Sequence, residues 1–261
     1  MSATAISIGL AGTTPVETVR SVARSAEAAG LRTLWLNETP EGDPFVGLAA
    51  AAEATERLLL GIGVVALDRN PGAALVERIE HSGIPLARFN LGVGSGRAPH
   101  AAAFVERNVG ELRKLVSSPI LVGALGPLVR RVGAEHADGL LLSWLSPETA
   151  AAARDEAITQ ASAVGRPRPW VALYARTAID PDAHGALRSE AERYAALPGY
   201  AANFARIGRG PLDGAILATD AAELRAGVAR YDGAIDELVL RAVTNDNSAD
   251  EIRRIIDGLS G

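Results

Sequence analysis

Eight short β-type runs, each followed by a stretch of helical periodicity, order the chain from end to end. They are AISIGL (5–10), TLWLNE (33–38), LLLGIGVV (58–65), ARFNLGV (87–93), PILVGA (119–124), GLLLSW (139–144), WVALYAR (170–176) and DELVLRA (236–242). Continuous apolar strands that alternate with helices build parallel sheets, because every parallel connection needs a crossover that also covers the sheet. Eight such units are the arithmetic of a closed (β/α)8 TIM barrel, α/β in class. No low-complexity linker divides the 261 residues, so a single barrel domain spanning 1–261 is expected.

The connections repeat one pattern, a capping side chain followed by proline at the first helical position. Thr14-Pro15, Asp43-Pro44, Asn70-Pro71, Ser146-Pro147 and Asp180-Pro181 follow it, and Thr14 with Glu17 and Ser248 with Glu251 have capping-box spacing. Gly126-Pro127 belongs to the same series. One connection, 180–214, is longer than a barrel turn needs and is expected to hold two helices that face the substrate.

Composition narrows the chemistry. A net charge of −5 leaves no electrostatic footprint for nucleic acid. The absence of cysteine removes disulfides, thiolate nucleophiles and thiolate-held metals together. Lys114 is the only lysine and lies on an amphipathic stretch, a poor setting for Schiff-base chemistry. The N-terminus lacks the basic region of a signal peptide, and no apolar run approaches the ~20 residues of a membrane helix. A soluble cytoplasmic protein without membrane partners is the expectation.

In such a barrel the active site stands at the C-terminal strand ends. Those ends supply Asn37, Glu38, Asp68, Arg69, Asn70, Ser95, Arg97, Ser143, Trp144, Arg176 and Arg241, a set poor in general bases. Glu38 with Asp68 is the one carboxylate pair of glycosidase type, but Arg69 adjoins it and few aromatic residues are present to stack on sugars. His81, His100, His136 and His184 show no metal-ligand spacing, and no metal site is expected. Trp144 either covers a bound ring or packs under a loop, and Trp35 faces the core or the helix layer. A mouth with few proton-transfer groups implies a cofactor that carries the chemistry while the protein orients it. The turns LGVGSGR (91–97) and VGALGP (122–127) suit its phosphate, since glycine lets backbone N–H groups approach an anion and Pro127 opens a helix whose dipole favours negative charge. Gly123 is read as clearing space above that helix, and Ser95 and Arg97 as anion contacts. Neither turn has Rossmann spacing.

The segments GLRTLWLNET, DPFVGLAAAAEATERLLLGIGVV, RNPGAALVERIE, RFNLGVGSGR, PILVGALGPLVRRVGAEHADGLLLS and DELVLRAV occur in this order, and together they resemble the bacterial luciferase-like family. WLNETPEGDPF and GALGPLVRRVGAEHADG are similar to its branch that uses the deazaflavin coenzyme F420, including methylenetetrahydromethanopterin reductase-like proteins. The resemblance implies a luciferase-like barrel with shortened loops that binds F420, or alternatively FMN, at its C-terminal mouth. It implies phosphate contacts at Gly94-Ser95 and Gly126-Pro127-Leu128, with Asn37, Gly123 and Ala124 beside them, and a non-proline cis peptide at Gly63-Val64 behind the ring. Many deazaflavin enzymes carry an Asp-His pair where this chain has Glu38 and Thr39. Glu38 is then the candidate catalytic acid or base if it lies against apolar ring surface, or a loop anchor if it bonds Arg69. Hydride transfer to or from a small organic substrate follows, in a homodimer of the family's usual kind. The alternatives are an FMN-dependent monooxygenase served by a flavin reductase, and a non-catalytic barrel that acts as a binding or structural protein.

Overall fold

A computed structural model describes residues 3–39 and 41–260, so positions 1, 2, 40 and 261 of the expected domain lie outside the described residues. The elements in chain order are β1 (Ala5–Ala11), α1 (Val16–Ala28), β2 (Thr33–Asn37), α2 (Pro44–Ala54), β3 (Leu59–Ala66), α3 (Gly72–His81), β4 (Phe89–Gly94), α4 (Ala101–Leu112), β5 (Ile120–Gly123) and α5 (Pro127–His136). They continue with β6 (Gly139–Ser143), α6 (Pro147–Ala163), β7 (Trp170–Ala178), α7 (His184–Ala196), α8 (Pro198–Ile207), β8 (Ile216–Leu217), α9 (Ala221–Ala229), β9 (Glu237–Ala242) and α10 (Ala249–Leu259).

Strands β1 to β7 pair in sequence order, and β9 closes the ring between β7 and β1, every pairing parallel. The result is the expected eight-stranded (β/α)8 barrel. β8 is an addition the sequence does not announce: two residues, too short for a pattern, paired with Thr177 and Ala178 beyond the barrel rim. The other strand bounds differ from the expected ones by one or two residues. Two-residue shifts occur at 87–88, which belong to a 3-10 turn instead of β4, and at the end of β7, which runs on to Ala178.

The strands read as continuous apolar runs because both faces are covered. Outward residues such as Leu34, Leu60, Leu91, Val122, Leu140, Leu173 and Leu238 pack under the helices in the main core. Inward residues Trp35, Leu121, Leu141, Ala172, Tyr174 and Val239 fill the barrel. Trp35 therefore lies in the barrel interior. Gly61 exists for it, since a Cβ there would stand 2.3 Å from the Trp35 ring.

The N-terminal end of the barrel is plugged by a buried carboxylate. Glu237 accepts from Ser7 Oγ at 2.6 Å, Trp35 Nε1 at 2.8 Å and Trp170 Nε1 at 2.9 Å, and Arg32 Nε lies 3.5 Å away. A buried charge is tolerated when its lone pairs are met in this way.

Several caps form as expected: Asp43 on Phe45 N, Ser146 on Thr149 N, Asp180 on Asp182 N and Ser248 on Glu251 N. Two do not. Pro15 and Pro71 occupy the cap positions of α1 and α3 with no side-chain bond. Asn70 turns instead to Glu38 Oε1, Ala66 O and Arg78. The connection 180–214 does hold two helices, α7 and α8.

Replacing Glu237 with alanine would leave two indole N–H groups and a hydroxyl unsatisfied inside the barrel. We expect Glu237→Ala to lower unfolding free energy by about 3–5 kcal/mol, read from urea denaturation followed by circular dichroism.

Candidate functional site

The mouth of the barrel is organised by β3. The Gly63–Val64 peptide is cis, where the family resemblance places it, and the register with β4 shifts between Ile62 and Val65. This bulge turns the Val64 side chain inward. A Cβ on Gly123 would stand 2.7 Å from Val64 Cγ1, and one on Gly94 would stand 3.0 Å from Val64 Cγ2. These two glycines thus make room for Val64. That corrects the reading in which Gly123 clears space above α5. The Asn37 side-chain amide donates to Gly63 O, and Arg241 Nε donates to Asn37 Oδ1 at 3.1 Å, so Asn37 fixes the bulge carbonyl. Beneath lies the Tyr174 hydroxyl, buried and without a hydrogen-bond partner, its pKa pushed up by burial.

The two glycine turns differ in what already fills them. In the fourth, Asp68 Oδ2 accepts the Arg97 N–H at 2.8 Å. Gly96 has φ +59°, and a Cβ there would stand 1.8 Å from Asp68 Oδ1. Gly92 likewise lies against Ile62 O. Every glycine of LGVGSGR is therefore explained by a neighbour within the protein. The Ser95 hydroxyl makes a bond to Gly96 O at 3.4 Å, and the exposed Arg97 lines a cleft of about 640 Å³ between α3 and α4 together with Pro71 and Phe104. The turn expected to meet phosphate through Gly94, Ser95 and Arg97 carries a carboxylate of its own.

The fifth turn is open. Gly126 caps α5 with φ −91° and ψ 159°, angles any residue adopts, and a Cβ there would meet nothing within 4 Å. The Ala124 N–H is taken by Leu141 O at 3.3 Å, and Pro127 has no N–H. Leu128 and Val129, in the first turn of α5, have N–H groups with no backbone partner among the described residues, and the Leu128 side chain is exposed. Two guanidinium groups approach the same turn. Arg130 Nη1 and Arg206 Nη2 donate to Leu125 O at 3.0 and 3.3 Å. Arg206 comes from α8 in the 180–214 connection, a contact no local pattern announces.

Glu38 is held by three donors. Its Oε2 accepts from Ala66 N at 3.0 Å and Arg69 Nη2 at 2.9 Å, and its Oε1 accepts from Asn70 Nδ2 at 2.8 Å. Both oxygens are committed to these donors. Of its two expected settings, the structure shows Glu38 in the anchoring one, bonded to Arg69 and the loop after β3. Asp68 serves the fourth turn, so the two carboxylates do not act as a pair. Among the described residues no group of three His, Cys, Asp or Glu is placed to hold a metal ion, and no helix is long and apolar enough to cross a membrane. Lys114 is exposed, just past the end of α4.

Helices α7 and α8 lie beside the mouth. Trp144, fully buried at φ +59°, packs with Tyr194, Tyr200 and Phe204, so of its two expected roles it takes the packing one. Its ring is 5.2 Å from that of Tyr194, and the Arg176 guanidinium lies 4.2 Å over it.

The C-terminal end of the parallel (β/α)8 barrel thus carries a cis-peptide bulge at β3 and an open helix N-terminus after β5. Residues 2–113 match the family model described as luciferase-like monooxygenase, which bears out the resemblance. Among solved structures, an F420-dependent secondary alcohol dehydrogenase in complex with an F420-acetone adduct superposes with TM-score 0.77 at 16% identity, covering 99% of both chains. The coenzyme F420-dependent tetrahydromethanopterin reductase from Methanopyrus kandleri gives TM-score 0.74 at 16% identity, covering 99% of this chain and 98% of that one. The oxygenating constituent of 3,6-diketocamphane monooxygenase from Pseudomonas putida, in complex with FMN, gives 0.70 at 13% identity, with 97% and 95% covered. No curated protein matches the chain.

If Glu38 is an anchor, its removal is a stability effect. Glu38→Ala frees Arg69, Asn70 and the Ala66 N–H, and we expect a loss of about 1–3 kcal/mol in chemical denaturation.

Proposed function

We propose that the chain is a luciferase-like oxidoreductase that binds a phosphate-bearing flavin-type cofactor, F420 in preference to FMN, and transfers a hydride to or from a small organic substrate. The observation that carries this reading is Gly126. Of the glycines in the two turns, it is the one that neither a neighbouring atom nor its own backbone angles require. A glycine without an internal reason, at a helix N-terminus with free N–H groups, fits the close approach of an anion. The preference for F420 rests on WLNETPEGDPF and the GALGP turn, and is supported by the two F420-dependent structures of the same fold.

The residues present fit such a group. Leu128 and Val129 N–H and the α5 dipole would meet the phosphate, with Arg130 and Arg206 adding positive charge. Val64, held by the Asn37 bond to Gly63 O, would back the ring. The bound cofactor supplies hydride chemistry at that ring. Trp144, Tyr194 and Tyr200 form an apolar wall from the β6 end to α7 and α8, which limits water on that side. Glu38 holds the loop after β3 in place and adds no proton-transfer step.

Gly126→Asp tests the assignment. Aspartate is a favoured N-cap residue and meets open space, so the barrel stays folded while its carboxylate takes the amides and repels phosphate. Titrations followed by cofactor fluorescence are expected to show saturable quenching of F420 by the wild type, weaker quenching of FMN, and none by Gly126→Asp. Wild-type protein that binds neither cofactor contradicts the proposal, and tight FMN binding without F420 binding contradicts the preference.

A further inference from the structure

Arg176 on β7 and Arg241 on β9 are direct partners in the parallel register, both on the inward face of neighbouring strands. Like charges at directly paired positions repel, and here Arg176 is buried and Arg241 half-buried. Arg176 Nε donates to Glu190 Oε1 at 3.0 Å and its Nη1 to Ser143 Oγ at 2.6 Å. Arg241 donates only to neutral acceptors, Asn37 Oδ1 and Ala242 O. The Nη2 of each has no hydrogen bond or ion pair among the described residues.

The charges near this pair do not balance. Burial lowers the pKa of Arg241, the Glu190 charge raises it, and the Arg176 charge lowers it again. Two cations thus face one carboxylate. The other carboxylates of the barrel interior and rim are committed elsewhere: Glu237 to the plug at the opposite end, Glu38 to Arg69, Asp68 to the fourth turn. Ser143 Oγ accepts from Arg176, which leaves its proton for a further acceptor. Two guanidiniums that share one carboxylate, beside a free hydroxyl proton, have the electrostatic shape of an anion site.

In the ring order β1 to β7 and then β9, β7 lies two strands from β5, where α5 opens, and β9 three. We propose that Arg241 and Arg176, with Ser143, bind an anionic oxygen group of the substrate, a carboxylate or a phosphate ester, at the β7–β9 side of the mouth, where Asn37 alone stands between Arg241 and the β3 bulge. Calling that ligand the substrate rests on the proposed function; the anion site stands without it.

The test uses the full chain without cofactor, titrated by calorimetry with benzoate and, separately, with phenyl phosphate at constant ionic strength. Saturable binding of at least one probe is expected, with the tighter one naming the group. Arg241→Gln should weaken it by ~10-fold or more, since loss of one partner from a desolvated charge contact is costly. Arg241→Lys keeps the charge without the planar fork, and an intermediate loss is expected. If Arg241→Gln fails to fold by circular dichroism, Arg241→Lys and Ser143→Ala carry the test, each with severalfold weakening. Absence of saturable binding of both probes by folded wild-type protein overturns the proposal, as does binding that the folded variants leave unchanged. F420 titration of the same preparation reports separately on the proposed function: anion binding without cofactor binding leaves this site standing and defeats that reading, and the converse does the reverse.

Discussion

The inward turn of Val64 sets the shape of the mouth. Its side chain lies against Gly94 of β4 and Gly123 of β5, whose missing Cβ atoms give it room. A Cβ at Gly123 would force the valine to shift, and one at Gly94 would press it by a few tenths of an ångström. The same bulge presents Gly63 O to the Asn37 amide, and Asn37 in turn holds Arg241. One local feature of β3 therefore couples four strands, and fixes both the wall of the mouth and the placement of a guanidinium across it.

Around that centre the barrel is layered by polarity. Glu237 and its three hydrogen-bond donors close the N-terminal end. Aromatic and aliphatic residues fill the middle, where Gly9 and Gly61 leave room for the rings of Tyr174 and Trp35. Asn37, Ser143, Arg176 and Arg241 line the C-terminal layer. Barrels of this architecture place their chemistry at that end because the turns there vary without disturbing the layers below. The α7–α8 pair extends the arrangement, since Arg206 and Tyr194 reach from it to the fifth turn and to Arg176 respectively.

The strands were legible because both of their faces are buried, which makes each a continuous apolar run bounded by turn residues. The cis bulge was legible through family motifs and not through periodicity. The glycine turns were only half legible, because a glycine that admits a neighbouring side chain and one that admits a ligand look the same in sequence. Gly96 yields to Asp68, 28 positions earlier, and Gly123 to Val64, while Gly126 yields to nothing in the protein. Glu38 could be placed at a strand end, but its neighbours Arg69 and Asn70 were needed to show that its oxygens are spent. The pairing of Arg176 with Arg241 joins residues 65 positions apart through barrel closure, and no local pattern records it.

The fifth turn stands open to an anion, whereas Asp68 fills the fourth. Amide chemical shifts of isotopically labelled protein on addition of F420 test it most directly. The account predicts that the Leu128 and Val129 amides move furthest among the turn residues, and that the Arg97 amide, held by Asp68, stays in place. A shift centred on Arg97, with Leu128 and Val129 unmoved, would contradict it.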